Sequence, residues 1–351
     1  MVRILLKKTG RGFVLKNSMT PHITQIKVNK SIEILKAPVS KHPKGYNDHI
    51  GFDVDERLIK KILIMRYQKV SITTIQSKND LDKLVLRKPD LVFSGVKYFN
   101  FKKEKIWLND FLKQNNISHI TSSAKDLQSE SNKSIAKDII RKAKIITANS
   151  LVVYANKMPK SFALPMPFPV FVKPLIGGNS KGVDEHSVVT NSTELKKKIK
   201  DIQKKYNCAS IVETYLRGKE YTVGIMQDTV TGNLIALPAE IIIEKNKQGQ
   251  RILDFKMKKE NTEELIKVSD IKLFNVLADM AKKSFKALKG RSIGRIDIRM
   301  NENFIPHFIE ANLMPGLRGG YFYRCCNLNL NINYQEMILR IVNNGLTLSK
   351  I

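Results

Sequence analysis

The sequence predicts a layered α/β protein, and three observations carry that prediction. Apolar residues at helical spacing alternate with short β-branched runs between residues 56 and 93. A strand-like run from Pro169 to Leu175 leads straight into a glycine-rich loop. Near the C-terminus two alternating runs, Gly294 to Met300 and Pro306 to Ala311, are joined by the polar turn Asn301-Glu302-Asn303.

Taken in order, residues 1–50 yield no clear element, because Gly10, Gly12, Pro21, Pro38, Pro43 and Gly45 interrupt short apolar pieces. Leu58, Ile59, Ile62, Leu63 and Met65 then predict a helix over 56–66. Val70 to Ile75 and Leu91 to Phe93 read as strands, with a helix over Leu81 to Leu86 between them. That alternation marks a small α/β domain ending near residue 120. Ser131-Asn132 opens the next helix, which carries Ile135, Ile139, Ile140 and Ala143. Asn191, with Glu194 three residues on, forms a capping-box-like start for a lysine-rich helix reaching Tyr206. Ile211 to Tyr215 and Tyr221 to Met226 are expected strands. Phe274, Leu277, Ala281, Phe285 and Leu288 line one face of a long helix that Gly290 stops. Met337, Ile338, Ile341 and Val342 define the last helix, with Gly345 at its end.

Composition bounds the function. At 351 residues the chain can hold two or three domains with buried cores, and its 42% hydrophobic and 26% charged content is ordinary for a globular protein. No apolar run approaches the ~18 residues of a membrane span, and the N-terminal apolar stretch is too short for a signal peptide. A cytoplasmic location is expected. The cysteines Cys208, Cys325 and Cys326 have no CxxC spacing, which argues against zinc, and a reducing compartment favours thiols over a vicinal disulfide at 325–326. The net charge of +29 is spread along the chain rather than gathered into a patch. Nucleic-acid binding is therefore not expected as the main function, although a basic surface would also attract nucleotides and acidic substrates.

Two stretches carry chemistry. In Phe171-Val-Lys-Pro-Leu-Ile-Gly-Gly-Asn-Ser-Lys-Gly182 a strand lysine would place a charge at phosphate, and Gly177, Gly178 and Gly182 would let backbone N–H groups approach its oxygens. In Gly294-Arg-Ile-Asp-Ile-Arg and Phe308-Ile-Glu-Ala-Asn-Leu-Met-Pro-Gly316, strand alternation puts Arg295 and Asp297 on one face and Glu310 and Asn312 on one face. Antiparallel pairing would unite Asp297, Glu310 and Asn312 into a set of hard oxygen ligands suited to Mg²⁺, with Arg295 beside them to stabilise developing charge.

With these motifs in place, the sequence resembles ATP-grasp enzymes, and among them the D-alanine–D-alanine ligases, over about residues 105–345. The order is that family's: Ser131-Asn-Lys133, Phe-Val-Lys-Pro, the glycine loop, Val212-Glu-Thr-Tyr-Leu-Arg-Gly-Lys-Glu-Tyr-Thr-Val-Gly224, the Arg-Ile-Asp strand and Glu-Ala-Asn-Leu-Met-Pro-Gly. The resemblance implies an ATP-grasp fold with a divergent N-terminal α/β domain over 1–120. A central subdomain with the phosphate loop would span 121–212, and a C-terminal subdomain with the metal site 213–351. It implies that Lys133 and Lys173 hold ATP phosphates, that Gly178, Asn179 and Ser180 cover the γ-phosphate, and that Glu213 with the backbone through Tyr215 and Leu216 forms the adenine hinge. Glu220 would bind the ribose. Asp297, Glu310 and Asn312 would hold two Mg²⁺ (or Mn²⁺) ions, Arg295 would stabilise the acyl phosphate and tetrahedral intermediate, and Lys258 of the mobile loop Asp254–Lys258 would reach phosphate. The implied reaction is ATP-dependent amide formation between a small carboxylate and an amine. A homodimer is compatible with it.

The departures lie on the amino-acid side. Family members begin with a glycine-serine-glutamate motif for the first substrate's ammonium, whereas residues 1–30 contain no Asp or Glu. Phe93-Ser-Gly-Val-Lys-Tyr98 replaces a His-Gly loop, Lys258-Lys259 replaces Lys-Tyr, and Tyr321-Phe322 stands where Ser-Leu is expected. Lys97, Lys259 and Arg318 add positive charge there. These changes point away from plain D-alanine, towards a larger or more acidic donor, unless Glu33 or Asp48 replaces the missing acid. Two alternatives stay open: a true D-alanine–D-alanine ligase with a divergent N-terminal domain, and a nucleotide- or nucleic-acid-binding module on the same scaffold.

Overall fold

A computed structural model describes residues 27–38, 51–52, 54–102, 104–157, 164–178, 180–228, 230–246, 248–260 and 262–347, without the side chain of Lys259. The chain first builds a parallel sheet of order β2-β1-β3 from β1 (Val28–Lys36), β2 (Tyr67–Thr74) and β3 (Leu91–Ser94). Helices α1 (Glu56–Leu63) and α2 (Lys78–Arg87) connect these strands. Asp55 caps α1 by accepting from the Leu58 amide, and Ser77 with Asp80 forms a capping box on α2. A hairpin, β4 (Tyr98–Phe101) with β5 (Glu104–Trp107), and α3 (Leu108–Gln114) complete this layer.

Two helices lead towards the site, α4 (Ala124–Ser131) and α5 (Lys133–Lys142). Asn132 caps α5 by accepting from the amides of Ser134 and Ile135, which sets Lys133 in its first turn. A four-stranded sheet of order β6-β9-β7-β8 follows, built from β6 (Ser150–Val153), β7 (Val170–Pro174), β8 (Val188–Val189) and β9 (Ser210–Thr214). Helix α6 (Ser192–Tyr206) covers it with Leu195, Ile199 and Ile202. As expected, Asn191 caps α6; the Glu194 carboxylate reaches the Thr190 amide instead of the cap's own.

The last part is an antiparallel five-stranded sheet of order β12-β11-β10-β13-β14. Its strands are β10 (Glu220–Gln227), β11 (Leu234–Ile242), β12 (Glu264–Lys267), β13 (Ile293–Met300) and β14 (Pro306–Asn312). Helices α7 (Phe255–Glu260), α8 (Ile271–Ala287), α9 (Tyr321–Leu330) and α10 (Tyr334–Thr347) surround it. Leu277, Ala281 and Phe285 of α8 pack on this sheet within one large apolar core. Gly345, expected at a helix end, lies inside α10; a Cβ there would come 2.6 Å from Leu91 Cδ1, so the glycine serves close packing. The thiols of Cys325 and Cys326 are free and buried in α9. Among the described residues no helix is long and apolar enough to cross a membrane.

Candidate active site

Two adjoining cavities flank the β13–β14 pair: one faces the four-stranded sheet, the other the β4–β5 hairpin and α4. The first is lined by Lys133, Lys173, Gly178, Ser180, Glu213, Tyr215, Leu216, Glu220, Lys258, Asp297 and Glu310, among others. The second holds Arg295 and Asn312, and shares Lys133, Gly177, Gly178 and Glu310 with the first. Every described residue expected to serve catalysis, nucleotide or metal thus lines one of two connected spaces. Asn179 lies outside the described residues.

The phosphate end rests on an ion triad. Lys173 on β7 and Lys137 on α5 each pair with a carboxylate oxygen of Glu213 on β9 at 2.8 Å, and all three side chains are buried. Burial alone would raise the Glu213 carboxyl, but the two ammonium groups outweigh it and hold it at about 2. Burial would likewise depress Lys173, yet Glu213, Glu310 and Glu220 leave it raised and charged. Glu213, expected at an adenine hinge, therefore turns its carboxylate to lysines, and only its backbone is open to a hinge role. Lys137 was not among the expected site residues. Its signal was present: it follows Lys133 by four, one helical turn along the same face. Lys133 bonds the Gly177 carbonyl and lines both cavities.

The glycine loop closes over the first cavity. Ser180 Oγ donates to the Leu253 carbonyl at 2.9 Å, and the Phe255 amide bonds Val183 O at 3.3 Å, tying the loop to the segment that carries Lys258. At the far end Arg299 pairs with Glu220 at 3.2 Å and donates to Tyr215 Oη and Arg251 O. Phe171 and Tyr215 stack nearly parallel along the same wall, with ring centroids 6.5 Å apart. This wall offers a flat apolar surface beside polar groups, the kind of surface an adenine and ribose require.

The paired strands β13 and β14 hold the acidic centre. Their register places Asp297 opposite Glu310 and Arg295 opposite Asn312. Arg295 grips Asp297 bidentately, at 2.9 and 2.8 Å, and Thr222 Oγ1 donates to Asp297 at 2.7 Å. Burial would raise Asp297, but Arg295 overrides it and the carboxyl is lowered. The residues fit a hard divalent cation: two carboxylates and an amide, with Asn312 Nδ2 buried and, among the described residues, without a hydrogen-bond partner. Arg295 also lies 5.1 Å from the centroid of the Tyr321 ring, with Lys258 and Arg324 each 5.6 Å from it. Tyr321 thus packs beside the acidic centre; the sequence sets Tyr321-Phe322 against the second substrate's carboxylate, but both side chains are buried and neither lines the two cavities.

The second cavity also contains Lys97, Tyr98, Lys105, Trp107, Glu130 and Arg318. Two expected cations, Lys97 and Arg318, are therefore in place; the Lys259 side chain lies outside the described set. Glu33 is no substitute acid here, because β1 buries it against Arg87 and Thr73. Asp48 lies outside the described residues. Glu130 was missed by sequence reasoning. Burial raises its carboxyl to about 7, with Glu310 adding to the rise and Lys97, Lys133 and Arg295 opposing it.

Comparison with known proteins bears on these cavities. Residues 140–343 match the family model described as D-ala D-ala ligase C-terminus. A D-alanine–D-alanine ligase of Clostridium botulinum (strain Eklund 17B / Type B) is 25% identical over 217 residues, 61% of this chain and 67% of that protein. One from Clostridium perfringens (strain SM101 / Type A) is 27% identical over 188 residues, 52% of this chain and 56% of that protein. The matched segment thus covers between half and two thirds of these relatives' length. Among solved structures, the Bacillus anthracis D-alanine–D-alanine ligase complexed with ATP aligns at TM-score 0.64 and 19% identity, covering 92% of this chain and 99% of that one. The likeness at that identity is one of fold.

Proposed function

The chain belongs to the D-ala D-ala ligase C-terminal family, and from that premise we propose that it is an ATP-dependent carboxylate–amine ligase acting through an acyl phosphate. One observation carries the proposal. The cavity with the stacked aromatic wall and the cavity with Arg295 and Asn312 meet at Lys133, Gly178 and Glu310. A phosphoryl group leaving the first would emerge against a carboxylate held in the second.

In this reading Lys133 and Lys173 hold the phosphates of ATP, with Lys137 and Glu213 keeping Lys173 charged and in place. Gly178 and the Ser180 backbone lie over the terminal phosphate, while Tyr215, Leu216 and Glu220 receive the nucleoside. Asp297, Glu310 and Asn312 hold Mg²⁺ or Mn²⁺, which when bound neutralises phosphate charge during transfer. Arg295, fixed by Asp297, lies where negative charge develops on the acyl phosphate and the tetrahedral centre. The Ser180–Leu253 contact and Lys258 hold the lid shut against water, which would otherwise hydrolyse the activated acyl group. The donor is larger or more acidic than D-alanine, because Lys97, Lys105 and Arg318 line the second cavity. The competing reading, a true D-alanine–D-alanine ligase, is favoured by the names of the relatives. Mass spectrometry of products formed from ATP, Mg²⁺ and a pooled metabolite extract tests the ligase reading. A steady-state assay with D-alanine alone separates the two: efficient D-alanyl-D-alanine formation restores the cell-wall ligase.

A further inference from the structure

Glu130 occupies an unfavourable position for a carboxylate. It sits in the last turn of α4, where the helix dipole opposes negative charge. Among the described residues it has neither an ion pair nor a hydrogen bond, yet it lines the second cavity beside Arg295, Lys133 and Glu310. It is half-buried, and the positive groups around it, Lys97, Lys133 and Arg295, favour its charged form without pairing with it. Lys97 in turn has no ion pair among the described residues. Glu130 and Lys97 therefore face this cavity, next to the acidic centre, as an anion and a cation without ion pairs among the described residues.

We propose that Glu130 receives the α-amine of the carboxylate donor and that Lys97 receives a second acidic group on the same molecule, so that the cavity selects an amino acid with an acidic side chain. The placement follows the order of groups in such a molecule. Its reacting carboxylate lies at Arg295 and Glu310, its amine one carbon away reaches Glu130, and its side-chain acid extends to Lys97. Alanine would leave Lys97 unmatched, and a simple dicarboxylate would leave Glu130 unmatched. The inference rests on the ligase reading for the place of the reacting carboxylate, and its test is a binding measurement that needs no turnover.

The full chain is loaded with Mg²⁺ and the non-hydrolysable ATP analogue adenylyl imidodiphosphate. It is then titrated calorimetrically with aspartate and glutamate (both enantiomers), alanine, succinate and glutarate. The expected result is that an acidic amino acid binds about tenfold or more tighter than its deaminated counterpart and than alanine. Glu130→Gln should bring aspartate or glutamate to the level of succinate or glutarate. Lys97→Met should bring it to the level of alanine. Unchanged affinity of each variant for the analogue shows that the fold persists. The proposal is overturned if no acidic amino acid binds, if alanine or the deaminated acids bind as tightly in the wild type, or if Glu130→Gln keeps the preference for the amine. Trapping acyl phosphate with hydroxylamine is scored separately. Selective binding without trapped product removes the ligase reading and leaves the site; trapped product from alanine with no effect of Glu130→Gln does the reverse.

Discussion

Glu213 shows how a single carboxylate organises the nucleotide end. Its carboxyl sits at about 2 against an ordinary 4.5, because Lys137 and Lys173 outweigh the effect of burial. A lowered folded-state value stabilises the fold above the unfolded value, and that stabilisation is lost as pH falls from about 4.5 through about 2. Thermal melts of the wild type between those limits should therefore show a falling Tm, and Glu213→Gln should flatten the slope there. At pH 7 the same variant leaves two buried ammonium groups and should cost roughly 3–5 kcal/mol in urea unfolding; a loss below about 1 kcal/mol would mean the triad is solvated. The acidic centre gives the second residue-scale prediction. Glu310→Gln and Asp297→Asn keep volume and remove charge, so ATP-dependent turnover should drop by about 100-fold or more while the melting curve stays cooperative. Near-normal ligation at limiting Mg²⁺ would remove both from the metal site. The types of Asp297, Glu310, Asn312 and Lys173 were legible because alternation along a strand fixes which side chains share a face. The partnership of Glu213 with Lys137 was not, since it joins β9 to α5 and no local pattern records it.

The elements divide in the same way. Helix α8 was readable because it has one buried face, and strands β13 and β14 because β-branched and charged residues alternate along them on either side of the polar turn at 301–303, although β13 is an interior strand buried along nearly its whole length. Strand β1 was not, because it is the middle strand of a parallel sheet, buried along Ile32–Leu35, with Glu33 sealed inside by Arg87. Such strands lose the alternation that reveals them. The glycine loop was recognised as one unit, but its glycines differ in role. Gly182 has φ +80°, and a Cβ there would lie 2.5 Å from Pro174 Cγ, whereas a Cβ on Gly178 meets nothing within 4 Å. Gly182→Ala should therefore destabilise the fold by roughly 1–3 kcal/mol, read as a lower urea midpoint. Gly178→Ala should leave that midpoint in place and weaken ATP binding alone, because the new methyl would crowd only an approaching phosphate. Equal stability of both variants, or full ATP affinity in Gly178→Ala, would deny the loop its division of labour.

At the scale of the whole molecule, the site exists only where separate layers meet. Tyr67 Oη donates to Asn343 at 2.6 Å, Thr147 Oγ1 to the Phe308 carbonyl at 2.7 Å, and Arg291 N–H to Ser122 Oγ at 3.0 Å. These contacts span 276, 161 and 169 residues of sequence, so the motifs foretold which pieces belong to the site and not how they dock. The order of motifs could be read because each is local; the docking could not, because it depends on surfaces created only after the sheets form. A nucleotide seated against β7, β9, β13 and β14 would bridge the four- and five-stranded sheets and add contacts that unfolding must break. Saturating ATP with Mg²⁺ should then raise Tm. At a concentration about 100 times the dissociation constant the gain is about 2.7 kcal/mol, a shift of several degrees for a chain of this size. Lys173→Ala should lose most of that shift, because phosphate charge in the cleft would lack its buried counter-ion. The shift should shrink without Mg²⁺, since Asp297 and Glu310 would then repel the phosphates they otherwise help to hold. Differential scanning fluorimetry on wild type and Lys173→Ala, each with and without Mg²⁺, separates these effects; an ATP-induced shift identical in all four would place the nucleotide elsewhere on this basic surface.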